Sequence, residues 1–156
     1  MGVSTFSGFQ EKAKVAAVKA NQKTVLKWIT TEAYKCQLGF DDIFNGKANC
    51  NEINSTLTGG GNPSPYTVRK IEEGLKGKFK NPYGVSDAGF GKDEGVTAYR
   101  IKSGARSLGY VLLNVDHKAP YYFRISVSVC YKLPCSGDRW DNPGPNIIVD
   151  IYTWYP

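Results

Sequence analysis

Gln10-Glu11-Lys12-Ala13-Lys14-Val15-Ala16-Ala17-Val18-Lys19-Ala20-Asn21-Gln22-Lys23-Thr24-Val25-Leu26-Lys27-Trp28-Ile29 is the stretch that decides the fold, and it continues without Pro or Gly to about Cys36. Val18, Val25, Ile29, Ala33 and Cys36 recur at steps of seven, four, four and three. That spacing places them on one stripe of a long helix, about a hundred degrees wide. The stripe needs an apolar partner elsewhere in the chain. Ala13, Ala16, Ala17 and Ala20 offer little area to bury, and Lys12, Lys14, Lys19, Lys23 and Lys27 keep the first half wet. The helix is therefore expected to be half docked and half projecting, spanning residues 10–38.

The chain has 156 residues, 41% of them hydrophobic and 13% aromatic. A single core of this size buries about 70% of the unfolded surface, so residues 10–156 read as one globular domain. Met1 to Phe9 contain no run near the ~20 apolar residues of a membrane helix. They also lack the charged, apolar and small-residue succession of a signal peptide. Residues 1–9 are thus expected to be scar residues ahead of the domain.

The partner for the helix lies in the second half, which reads as antiparallel β. Val96 to Lys102 and Leu108 to Val115 are strand candidates, split by Ser103-Gly104-Ala105-Arg106 as a hairpin turn. Tyr122 to Cys130 alternates cleanly, with Phe123, Ile125, Val127 and Val129 on one face and Arg124, Ser126 and Ser128 on the other. One face should be buried and one wet. Asn146 to Trp154 supplies a fourth strand. The expected class is α+β: a long N-terminal helix packed on a four-stranded antiparallel sheet, with the sheet and a C-terminal loop in residues 96–156.

Residues 39–95 form a long region dense in Gly, Asn, Pro and Asp. A packed domain seldom carries so long a connection without local structure. Ser64-Pro65 is a helix start signal, and Tyr66, Val68, Ile71 and Leu75 recur near helical spacing before Gly74 and Gly77, which are expected to end the helix. Thr58-Gly59-Gly60-Gly61-Asn62-Pro63 is turn chemistry without the spacing of a phosphate-binding loop. Asn81-Pro82-Tyr83-Gly84 is a second turn.

Four cysteines, Cys36, Cys50, Cys130 and Cys135, lack the paired C-x-x-C knuckles of structural zinc sites. They suit two disulfides in an oxidising compartment, or four reduced buried thiols in the cytosol. Three pairings are open, of which one, Cys36 with Cys50 and Cys130 with Cys135, closes two local loops. The second would bound a Pro/Gly-rich C-terminal loop running on to Pro145.

Catalytic chemistry is sparse. His117, the sole histidine, sits beside Asp116 between two strands, where neighbours seldom face each other. The sequence contains no G-x-S-x-G and no H-E-x-x-H, so an enzyme is not expected and no cofactor is implied. Asp41 and Asp42 with Asn45, and Asp138 and Asp141 with Asn142, carry hard oxygen ligands that calcium prefers, but neither fits the twelve-residue calcium loop. No metal site is assigned. Charge is the feature that points to a ligand. The net charge is +6, and Arg69, Lys70, Lys76, Lys78 and Lys80 fall within a dozen residues, with Tyr66, Phe79 and Tyr83 nearby. Such a cluster could hold DNA or another anionic surface, although Glu72 and Glu73 interrupt it.

The run EKAKVAAVKANQKTVLKWI, followed by a Cys-bounded loop, resembles the second half of the first helix of bacterial type IV pilins. The order helix, variable loop, sheet and disulfide-bounded C-terminal region resembles the pilin headpiece. The resemblance implies an apolar half-helix of about twenty residues ahead of this stretch and favours a bridge in the C-terminal region. By it, the chain is a filament subunit supporting adhesion or motility, or else a minor pilin or pseudopilin acting in DNA uptake or type II secretion. It would be anchored in the inner membrane through the apolar segment before assembly, then join copies of itself in an extracellular pilus.

Overall fold

The computed structural model describes residues 3–52, 65–84, 95–98, 108–118, 122–133, 135 and 149–152. Helix α1 spans Val3–Gln37 and helix α2 spans Pro65–Leu75. A small antiparallel hairpin pairs β1 (Asp42–Ile43) with β2 (Ala48–Asn49). The larger sheet comprises β3 (Val96–Ala98), β4 (Val111–Lys118), β5 (Tyr122–Val129) and β6 (Val149–Tyr152), adjacent in that order. The class is α+β, as the sequence implies.

The antiparallel part of the sheet is β4, β5 and β6, while β3 joins the edge parallel to β4. The expected four-stranded antiparallel sheet therefore does not form. A parallel neighbour cannot be reached by a tight hairpin; the hairpin turn expected at Ser103–Arg106 lies outside the described residues. The second strand also begins later and ends later than expected, because Tyr110 precedes it and its pairing with β5 continues to Lys118 opposite Tyr122. His117 is consequently a strand residue opposite Phe123.

Helix α1 lies across the sheet, and its predicted stripe is the one that packs. Val18, Val25 and Ile29 are fully buried and Ala33 nearly so, in one core with Ile125, Val127 and Val129 of β5 and Val111 and Leu113 of β4. Each fully buried aliphatic side chain of this kind stabilises by roughly 1.5–3 kcal/mol. Gln22 falls on the same stripe, buried, and donates from Nε2 to the Val127 carbonyl at 2.8 Å. A buried amide costs stability unless it is paired; here it fixes the helix to the centre of β5. The opposite face of β5 is not wet throughout, since Ser126 is buried too.

The helix begins at Val3, so it runs through residues set aside as scar. Nor does its first half simply project. Val15 and Ala17 are half-buried, and the Tyr83 hydroxyl meets Glu11 Oε1 at 2.9 Å. Tyr83 belongs to the expected turn at 81–84, closed by Gly84 N–H donating to the Asn81 carbonyl at 3.0 Å, with Gly84 at φ 64°.

In α2, Val68, Ile71 and Leu75 are buried, as the periodicity predicts. Gly74 does not end this helix; it is inside it. Gly77, with φ 73°, is the left-handed residue beyond the end.

Candidate functional site

Three groups of residues stand out from the packing. The first surrounds the hairpin. Cys36 at the end of α1 is bonded to Cys50, and Cys130 after β5 is bonded to Cys135; both pairs have Cα atoms 5.6 Å apart. Inside the first bridge, Phe44, Asn45 and Gly46 all adopt left-handed backbone, at φ 55°, 59° and 72°. That conformation is costly for a phenylalanine. Its surroundings hold it there. The buried Glu32 carboxylate accepts the Phe44 N–H at 2.6 Å and an Nζ–H of Lys35 at 2.6 Å. Asn45 Nδ2 donates to the Gly74 carbonyl at 2.7 Å, and the Phe44 ring packs 5.7 Å from that of Trp28. A Cβ at Gly74 would lie 2.7 Å from the Phe44 carbonyl and 2.9 Å from the Trp28 ring. Gly74 is thus required by close approach, where the sequence suggested a stop.

Asn45 is therefore turned to α2 instead of joining Asp41 and Asp42. Among the described residues no group of three or more His, Cys, Asp or Glu side chains could hold a metal ion. Asp138 and Asp141, with the loop from 136 to 145, lie outside the described residues, as does the glycine turn at 58–63.

The second group is centred on Tyr83. Its hydroxyl lies 2.9 Å from Glu11 Oε1 and 2.9 Å from the Tyr131 carbonyl, and Lys14 Nζ sits 5.4 Å from its ring centroid. Lys19 caps the Tyr131 ring at 4.5 Å. Burial, then the Glu11 carboxylate, pushes the Tyr83 phenol up to about 12. Both effects penalise the phenolate. Lysines 14 and 19, expected to keep the helix wet, in fact set their ammonium groups over aromatic rings.

The third group is the basic cluster. Arg69, Lys76, Lys78 and Lys80 are exposed. Lys70 is not available in the same way: it pairs with Glu73 at 3.0 Å and lies 5.3 Å from the Tyr66 ring centroid. The Glu73 hydrogen bond is the main reason its ammonium titrates above the usual lysine value. Lys78 covers Trp28 at 5.4 Å. The three aromatic residues do not make one platform. Tyr66 reaches Glu52, Tyr83 reaches Glu11, and Phe79 packs against the core. A crevice between Lys76, Phe79 and Gly95 has space for no more than about one water.

Sequence reasoning missed Glu32, Gln22 and the Glu11–Tyr83 contact. A signal existed for the first two, because both sit on the helix face otherwise reserved for apolar residues. Comparisons with protein-family models, curated proteins and solved structures return no match for this chain.

Proposed function

We propose that this chain is the headpiece of a type IV pilin, a structural subunit of a pilus filament that supports adhesion or motility. The observation that carries the reading is the 35-residue α1. It is anchored along the sheet by its core stripe and runs on beyond that anchorage, while a disulfide closes the loop after β5. A subunit of this shape presents its sheet and loops outward and offers its helix for packing with copies. An apolar half-helix ahead of residue 10 would complete the spine, holding the subunit in the inner membrane and then joining neighbours in a head-to-tail contact that propagates into a thin extracellular fibre. Among the described residues no helix is itself long and apolar enough to cross a membrane.

The test is electron microscopy of cells that express the gene with its native upstream segment and the assembly machinery. Filaments decorated along their length by antibodies to the Cys130–Cys135 region support a major subunit. Sparse or tip decoration would mark a minor one, and a protein that stays dispersed ends the proposal.

A minor pilin or pseudopilin that binds DNA or another anion is the second reading, favoured by the exposed Arg69, Lys76, Lys78 and Lys80. Neutralising Lys76, Lys78 and Lys80 together should lower the log–log salt slope of DNA binding by up to about three. Binding that ignores salt rules out this patch.

A further inference from the structure

Helix α1 has a second face. Phe6, Phe9, Ala13, Ala16 and Ala20 follow one another at steps of three, four, three and four, and Lys23, Lys27, Tyr34 and Leu38 continue the same row. At 3.6 residues per turn this row lies about half a turn from Val18, Val25 and Ile29, so it points away from the sheet. Every member is exposed. The large ones are conspicuously so: Phe6 is 66% exposed, Phe9 70%, Tyr34 56% and Leu38 74%. Among the described residues, nothing covers this face, which has two phenylalanines at one end and a tyrosine and a leucine at the other.

We propose that this face pairs antiparallel with the same face of a second copy, about a two-fold axis close to residues 20–24. Three observations converge on that occupant. The large apolar residues lie at both ends of the row and are nearly equidistant from its middle. An antiparallel register that sets Phe6 opposite Leu38 also sets Phe9 near Tyr34, and does so twice. The same register places Lys27 beside Ala16 and Ala17, so the lysine side chains cross small residues. Buried together, six aromatic rings and two leucines remove roughly 1,000 Å² from water, the lower limit for a specific interface.

Charge agrees at the ends. The exposed Asp41 and Asp42 lie just past Leu38, where the register brings the positive N-terminal end of the second copy's helix dipole. At the centre it disagrees, because the two Lys23 ammonium groups approach across the axis. The pair is therefore reversible, and salt should tighten it by screening that repulsion. The pairing needs only the surface of this chain and does not depend on the filament reading.

Sedimentation equilibrium of the chain from about 10 μM to about 1 mM, the range suited to so small an interface, tests it. A monomer–dimer equilibrium with no larger species is expected. Phe6→Ser with Phe9→Ser, and separately Tyr34→Ser with Leu38→Ser, should each weaken the dimer at least about tenfold, since each removes large buried side chains. All four residues are exposed, so circular dichroism should show the fold retained. Lys23→Ala should strengthen the dimer. Spin labels at Lys23→Cys should lie close together, whereas labels at Gln10→Cys should be about 36 Å apart from the rise per residue.

A monomer throughout the range, a dimer indifferent to the phenylalanine changes, an association weakened by salt, or short distances at both labels would each overturn the pairing. So would a monomer that sediments with vesicles of anionic phospholipid, which would assign the face to a membrane surface. Filament formation in cells is read independently, so the failure of one proposal leaves the other open to its own test.

Discussion

The two halves of α1 are held to the body by different physics. From Val25 to Cys36 the helix is fastened by apolar burial, by the carboxylate of Glu32 and by a covalent bridge. From Glu11 to Lys19 Val18 alone is fully buried, and the other ties are a phenol on a carboxylate and two lysines over tyrosine rings. Apolar burial cannot be relaxed without losing the core, whereas exposed polar ties are worth little singly and are weakened by solvent. One half is therefore wholly part of the folding unit, and the other is held mainly by surface clips around the single buried Val18.

The largest blow to that contrast should come from Ile29→Ala. The side chain is fully buried between helix and sheet, so the loss should be about 2–5 kcal/mol in denaturant unfolding. A loss below that range would mean the C-terminal half is no better fastened than the rest. Next is the bridge. Replacing Cys36 and Cys50 by serine frees a loop of sequence separation 14 and should cost roughly 3 kcal/mol or somewhat less. Hydrogen exchange should then rise first in β1 and β2.

Smallest is Tyr83→Phe, expected to cost about 1 kcal/mol or less and to leave the melting of the core almost unchanged. Its signature is local: faster exchange in residues 11–19 alone. The same clip should fail at high pH. The folded-state value is raised above the model-peptide 10.0 to about 12, so the stability it confers is complete below pH 10 and lost as the pH rises through 12. Protection factors in the first half, corrected for the base-catalysed intrinsic rate, should fall further across that window in the parent than in Tyr83→Phe.

Periodicity made much of the fold legible. The core stripe of α1, the face of α2 and the alternation of β5 were all visible because burial on one side imposes a spacing on the residues themselves. The parallel placement of β3 was not, since a strand's own residues say little about the direction of its neighbour. Nor could the sequence announce that Gly74 yields to the Phe44 carbonyl, or that Glu11 meets a tyrosine 72 positions away. Such contacts are set by how elements meet. The basic cluster shows both sides of this: four of its charges are exposed as read, though Lys78 covers Trp28, while Lys70 is tied to Glu73.

Gln22 reaches Val127 across 105 residues of sequence, and that separation has a consequence in time. A ribosome adding about 5–20 residues per second needs roughly 5–20 s to make the strand that receives the helix. Throughout that interval Val18, Val25 and Ile29 are finished but have no sheet to lie on. The nascent chain must travel with its most apolar stripe uncovered, which makes it a client for whatever holds unfolded chains during synthesis or export. Ribosome-bound chains halted before residue 122 should be cut within α1 by proteases, and those carrying a linker fused after Pro156 that brings residue 152 clear of the ribosome should resist; equal resistance in both would show that the helix finds shelter without its sheet.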